Sequence, residues 1–132
     1  MQGGDAITAA GPALAVAYAT LAIVGHTWPV YLKFKGGKGV ATSAGALIGI
    51  APAAVGVGLL VWIVLMAVSR YVSVASIGAA AAVPIAAWVF YRGQGLTVPV
   101  ALTVLATLIV WRHRGNIQRL RAGTEHRFGK KL

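Results

Sequence analysis

The sequence predicts an all-α protein, a polytopic membrane helix bundle of about five membrane segments, one of them a short half-helix. Three observations predict it. Of 132 residues, 58% are hydrophobic and only 11% charged, a composition that suits an integral membrane protein far better than a soluble domain. The charged residues lie between long uncharged runs rather than being scattered. The charge is also one-sided, with twelve Lys and Arg against two acids, Asp5 and Glu125. In a soluble chain that balance would suggest nucleic acid. Here the basic residues sit where the positive-inside rule places them, so nucleic acid is not an expected partner. The absence of cysteine excludes disulfides and thiol chemistry.

Taken in order, the chain opens on Met-Gln-Gly-Gly-Asp, which lacks the basic n-region of a signal peptide. Residues 7–25 are uncharged and suffice for one crossing, at about 20 residues per bilayer; His26 and Pro29 end it. Residues 39–69 are again uncharged. As one straight helix they would run roughly 46 Å at about 1.5 Å per residue, against a hydrocarbon core of roughly 30 Å. Pro52, following Gly49, is the natural break. It divides the run into a half-helix over 40–50 and a crossing over 52–69. The half-helix is too short to span and is expected inside the bundle. Its small residues Ala41, Thr42, Ser43, Ala44, Gly45, Ala46 and Gly49 would let helices approach closely. Arg70 and Tyr71 mark an interface. A crossing over 72–91, interrupted by Pro84, follows; then a turn at Arg92-Gly-Gln-Gly95 and a last apolar segment over 96–111. Trp28, Trp62, Trp88 and Trp111, with Tyr31, Tyr71 and Tyr91, fall mostly near segment ends, as an anchoring aromatic belt would. Together with a basic tail over 112–132, these segments read as a single integral membrane domain without internal repeats.

Orientation follows from charge. If the first crossing runs outside to inside, eleven of the twelve basic residues are cytoplasmic and only Arg92 is outside. The loop after the first crossing and the C-terminal tail then share the cytoplasmic face.

These two segments carry the polar chemistry. Gly25 to Thr42 is a polar island in which Lys33, Lys35 and Lys38 fall within six residues and Gly36, Gly37 and Gly39 surround the last of them. Glycine lets successive backbone N–H groups converge on an anion, and a helical pattern starts at Val40, so the turn would feed a helix N-terminus. A P-loop is not matched, because Gly39 rather than Ser or Thr follows Lys38. The bland alternative is a basic loop that only fixes orientation. In the tail, the basic residues, Lys130 and Lys131 in particular, suit attraction to anionic membrane lipid. His113 and Asn116 are three apart and would share a face on a continuing helix, one able to move a proton and the other to orient an oxygen. His126 reads as solvated surface.

Gly25-His26-x-x-Pro29 with Phe34-Lys35-Gly36-Gly37-Lys38-Gly39-Val40-Ala41-Thr42 resembles the second motif of the PlsY family, bacterial membrane glycerol-3-phosphate acyltransferases that use acyl phosphate. His113-x-x-Asn116-Ile117-x-Arg119-Leu120-x-x-Gly123-Thr124-Glu125 resembles the third motif, and Arg70-Tyr71-Val72-Ser73 fits between them. The resemblance implies transfer of an acyl group from acyl phosphate to the 1-hydroxyl of glycerol 3-phosphate, giving lysophosphatidic acid and phosphate for phospholipid biosynthesis. It implies neither a cofactor nor a metal, and a place in the bacterial plasma membrane with the motifs and C-terminus cytoplasmic. It assigns Lys35, Gly36, Gly37, Lys38 and Gly39 to glycerol 3-phosphate, and His113 and Asn116 to the catalytic centre. Glu125 and His26 are expected to support the site, Glu125 by bracing the tail against a nearby arginine. The family fold has seven helices. Its first motif, a Ser-Gly-Asn-x-Gly-x-Thr-Asn type loop, and the two helices around that loop have no counterpart here, so a truncated form is expected. Two readings of other classes stand beside this one: a small channel or transporter for a phosphorylated solute, built around the half-helix, and an inactive remnant that binds anionic lipid through its tail.

Overall fold

The computed structural model describes the backbone over residues 3–129 and the side chains over residues 11–129, so Lys130 and Lys131 lie outside the described residues. Six α-helices follow one another: α1 (Gly3–Thr27), α2 (Val40–Leu47), α3 (Pro52–Ser69), α4 (Val72–Phe90), α5 (Thr97–Arg112) and α6 (Arg114–Arg121). Short 3-10 turns cover Val30–Leu32 and Arg92–Gln94, and no strand occurs among the described residues.

The breaks have local causes. Pro52 occupies the first turn of α3, where its missing N–H costs nothing. Arg70 closes α3 in a left-handed conformation, φ +61°, with its N–H on Met66 O. Gly39, φ +80°, opens α2. Some boundaries differ from the sequence reading. α1 starts earlier than residue 7, tolerates Pro12, and runs through His26 to Thr27, whose Oγ1 donates back to Ile23 O at 2.7 Å. α2 ends at Leu47 rather than at residue 50, because Ile50 and Ala51 both turn their N–H groups onto Leu47 O. The helix expected to continue past Trp111 is interrupted at His113, φ −90° and ψ 5°, whose N–H is shared between Ile109 O and Val110 O.

Among the described residues, three helical stretches are long and apolar enough to cross a membrane: Gly11–Leu32, Pro52–Ser69 and Val72–Phe90. Thr97–Arg112 is a shorter apolar helix, and α2 supplies the half-helix. The exterior has the character of a protein in lipid: Leu59, Leu60, Ile63, Val64 and Val68 of α3 are each more than half exposed. Where the surroundings are apolar, large aliphatics gain nothing by turning inward, and contact surfaces go to small residues instead. The core accordingly gathers Ala51, Ala54, Ala86 and Ala87 around Ile23, Leu47, Leu102 and Leu105.

Glycines let α3 and α4 approach closely. A Cβ on Gly58 would come within 2.5 Å of Val83 Cγ2, and one on Gly78 would overlap Leu65 Cδ1. By contrast, Gly45 of α2 and Gly49 just beyond it face open space, whereas Ser43 of α2 is buried. Several aromatics assigned to a belt also stitch helices together. Trp62 Nε1 donates to Ser76 Oγ at 3.3 Å across α3 and α4, and Trp88 Nε1 to Thr103 Oγ1 at 3.1 Å across α4 and α5. Tyr91 Oη accepts from Ala53 N–H at 3.1 Å, satisfying an orphan donor at the start of α3.

Candidate active site

The loop between α1 and α2 folds back on the end of α1. Pro29 O accepts from Leu32 and Phe34 N–H groups at 3.2 and 3.0 Å. Lys33 and Phe34 then take consecutive left-handed conformations, φ +52° and +60°, which non-glycine residues adopt only under constraint. The three glycines answer to different demands. Gly36 lies against His26 O and Thr27 O so closely that a Cβ would overlap both backbone oxygens, and a Cβ on Gly37 would come within 2.6 Å of His26 Nε2. Of the three, only Gly39 has a positive φ. The convergent nest of N–H groups expected from Gly36 and Gly37 is therefore not what those two build. Their carbonyls accept hydrogen bonds from Arg112 Nη2, each at 3.3 Å, and their lack of a Cβ lets the loop lie flat on α1.

Lys38 points away from this packing into a pocket of about 380 Å³. Its polar walls are Lys38, His26, Ser73, Ser76, His113, Asn116, Glu125 and His126. A row of hydrogen bonds crosses it. Lys38 Nζ donates to Asn116 Oδ1, Asn116 Nδ2 donates to Glu125 Oε1 at 2.5 Å, and Arg119 Nε donates to Glu125 Oε2 at 2.7 Å. The tail is tied down beyond that: Phe128 N–H bonds to Arg70 O at 2.8 Å, and the Arg127 guanidinium stands 5.8 Å from the Tyr71 ring centre. Glu125 thus braces the tail against Arg119 and also holds Asn116.

Environment sets the protonation states. Burial is the largest influence on His113 and pushes its pKa below the ordinary value, assisted by the nearby Lys38 charge and opposed by the Ile109 bond and Glu125. His113 Nδ1 lies 2.8 Å from Ile109 O. A carbonyl only accepts, so the proton of the neutral ring is on Nδ1 and Nε2 keeps its lone pair. Lys38 is also lowered, by burial first and by Arg119 and Arg112, with Glu125 acting the other way. For Glu125, burial alone would raise the pKa. The bonds from Asn116 and Arg119, then Ser73 and the Arg119 charge, outweigh it and leave the carboxyl below its ordinary value. Ser73 contributes through proximity; its buried Oγ makes no hydrogen bond of normal geometry and has no partner.

Of the residues expected to form a site, Lys38, Gly39, His26, His113, Asn116 and Glu125 meet around this pocket, while Lys35, Gly36 and Gly37 do not line it. Lys35 is exposed. His126, read as surface, stands exposed among the pocket's walls. Ser73 and Ser76 received no role from the sequence, although two serines three apart at the start of an apolar helix share a face and are a readable signal. Among the described residues, no three His, Asp or Glu come together as metal ligands would.

A second, apolar cavity of about 630 Å³ opens among α2, α3, α4 and α5, between residues such as Leu47, Leu59, Ala79, Leu105 and Ile109. Val40, Ala41, Val72 and Ser76 line both cavities. A cationic, hydrogen-bonding chamber thus gives onto a hydrocarbon-lined groove. One end suits an anionic head, the other an alkyl chain.

The family model described as glycerol-3-phosphate acyltransferase matches residues 4–123. A glycerol-3-phosphate acyltransferase of Methylobacillus flagellatus is 45% identical over 113 residues, covering 86% of this chain and 57% of that protein. Glycerol-3-phosphate acyltransferase 2 of Moorella thermoacetica is 46% identical over 123 residues, covering 92% of this chain and 61% of that protein. The chain therefore spans a little over half the length of the curated relatives it matches. Among solved structures, the glycerol 3-phosphate form of PlsY (YgiH), an integral membrane glycerol 3-phosphate acyltransferase, superposes with a TM-score of 0.76 at 42% identity, over 81% of this chain and 52% of that one. The lysophosphatidic acid form of the same protein gives the same TM-score and identity.

Proposed function

This chain belongs to the glycerol-3-phosphate acyltransferase family, and on that premise we propose that it takes part in acyl transfer from acyl phosphate to the 1-hydroxyl of glycerol 3-phosphate. The single observation that carries the reading is the shared wall of the two cavities, since the reaction needs a phosphate and an alkyl chain to meet at one point. In this reading the acyl chain lies in the groove below α2. Lys38 exchanges its bond to Asn116 for a substrate phosphate, assisted by the unpartnered Ser73 hydroxyl. Gly39, in its left-handed conformation, turns the chain into α2 beside the pocket. Lys35 adds exposed positive charge to the loop, while Gly36 and Gly37 serve by shaping it.

His113 Nε2 accepts a hydrogen bond from the 1-hydroxyl and aims its oxygen at the acyl carbon, while Asn116, held by Glu125, orients the acyl phosphate. The hydroxyl oxygen forms the new ester bond. The anhydride bond between acyl carbon and phosphate oxygen breaks with its electron pair on phosphate, and the hydroxyl proton ends on the released phosphate. No enzyme nucleophile is required, because phosphate is already a good leaving group. In this reading the chemistry lies on the cytoplasmic side of a bacterial plasma membrane, which the one-sided distribution of basic residues supports.

The test is lysophosphatidic acid formation, with stoichiometric phosphate release, by the purified chain in detergent beside a His113→Ala control. Product that vanishes in the control supports the reading. A folded sample that makes no product contradicts it for this chain alone.

A further inference from the structure

We propose that Arg112 is a positioning residue for the phosphate end of the site, clamping the Gly36–Gly37 turn from behind so that Lys38 is held in register with His113. This rests on the reading of Lys38 as the phosphate-binding cation. Arg112 closes α5, in sequence far from the loop it holds. Its Nη2 carries two hydrogens and reaches two successive carbonyls, Gly36 O and Gly37 O, at 3.3 Å each. The guanidinium carbon stands over the Trp28 ring, 5.5 Å from its centre, and Trp28 in turn lies against Trp111 with ring centres 6.5 Å apart.

One side chain therefore touches both ends of the loop, Trp28 where it starts and Gly37 directly before Lys38. On its other side, the loop is pressed against the last carbonyls of α1, with no room for a Cβ at Gly36. Held from both flanks, the turn has one position. The two ends of the clamp are also the immediate neighbours of the reacting groups: Gly37 precedes Lys38, and Arg112 precedes His113. The clamp thus fixes the spacing between two segments that no local structure connects. Arginine suits the task because its Nη2 reaches both carbonyls while the rest of the guanidinium stays over the indole, and a guanidinium is more weakly hydrated than a lysine ammonium and so gives up less water to sit there.

The experiment compares Arg112→Gln and Arg112→Lys in the full chain by two readouts. Amide hydrogen exchange at residues 32–35, whose N–H groups bond to carbonyls of the same loop, is expected to speed up about tenfold in both variants, with α3 and α4 unchanged. KM for glycerol 3-phosphate is expected to rise about tenfold in both, more than kcat falls, because a loosened Lys38 weakens binding of the phosphate before and during reaction. Full restoration of both readouts by lysine would overturn the clamp and leave only a charge effect. Unchanged exchange at residues 32–35 in either folded variant would overturn it too, and the lysine variant decides alone if the glutamine variant does not fold. If the unaltered chain shows no transfer, the functional reading fails on its own, and exchange still decides the clamp.

Discussion

Glu125→Ala removes the carboxylate on which the hydrogen-bonded row across the pocket depends. That carboxylate accepts from Asn116 at 2.5 Å and from Arg119 at 2.7 Å. The two bonds are unequal. The Arg119 side chain is 50% exposed, so water screens the pair and its worth falls to about 0.2–1 kcal/mol. The Glu125 side chain is 8% exposed and Asn116 is 6% exposed, so their charge-assisted bond is worth about 1.5–3 kcal/mol. Loss of both should lower stability by about 2–4 kcal/mol. Asn116 would also lose its fixed orientation, and transfer should fall on the order of a hundredfold.

The assay is thermal unfolding in detergent across pH, with transfer rates on the same samples. The folded pKa of Glu125 lies below its ordinary 4.5. The stabilisation is therefore complete above that ordinary value and is lost as pH falls through the lower, folded one. The gap between the native chain and the variant should be widest near neutrality and close in acid. A variant that unfolds and turns over like the native chain, or a gap independent of pH, would refute the reasoning.

His113, with its pKa lowered from 6.5, should keep kcat flat above that value and lose it as pH drops through the lowered one, when Nε2 takes up a proton; a rate profile from pH 5 to 8 shows this, and His113→Gln should abolish the dependence. Ser73→Ala removes a buried hydroxyl without a partner, so unfolding should change by no more than about 0.5 kcal/mol while KM for glycerol 3-phosphate rises several-fold in the transfer assay. Gly58→Val drives a side chain into Val83 and should destabilise by about 1–3 kcal/mol in thermal unfolding, whereas Gly49→Ala, facing open space, should shift it by no more than about 0.5 kcal/mol.

How much was legible in the sequence depended on the range of the cause. Pro52 broke the long apolar run because proline acts on its own helix, and Gly39 opened α2 because the turn itself needs a positive φ. Lys38, His113, Asn116 and Glu125 stood out as polar residues that an apolar chain does not keep for packing. Long-range causes were not legible. Gly36 is glycine because α1 lies behind it, Arg112 grips carbonyls far back along the chain, and Trp62 and Trp88 meet hydroxyls on neighbouring helices. The break at His113 was also hidden, since the residues on either side favour helix. It turns His113 and Asn116 from two positions on one helix face into the hinge and first turn of separate helices that still point into one pocket.

The central claim is that a substrate phosphate binds at Lys38, beside the apolar groove. The most direct measurement is the dependence of lysophosphatidic acid formation on glycerol 3-phosphate for the native chain and for Lys38→Ala. Loss of a charge-assisted phosphate bond of about 1.5–3 kcal/mol predicts a KM raised roughly 10- to 150-fold at an unchanged dependence on acyl phosphate. Identical saturation curves for the two chains would contradict the account.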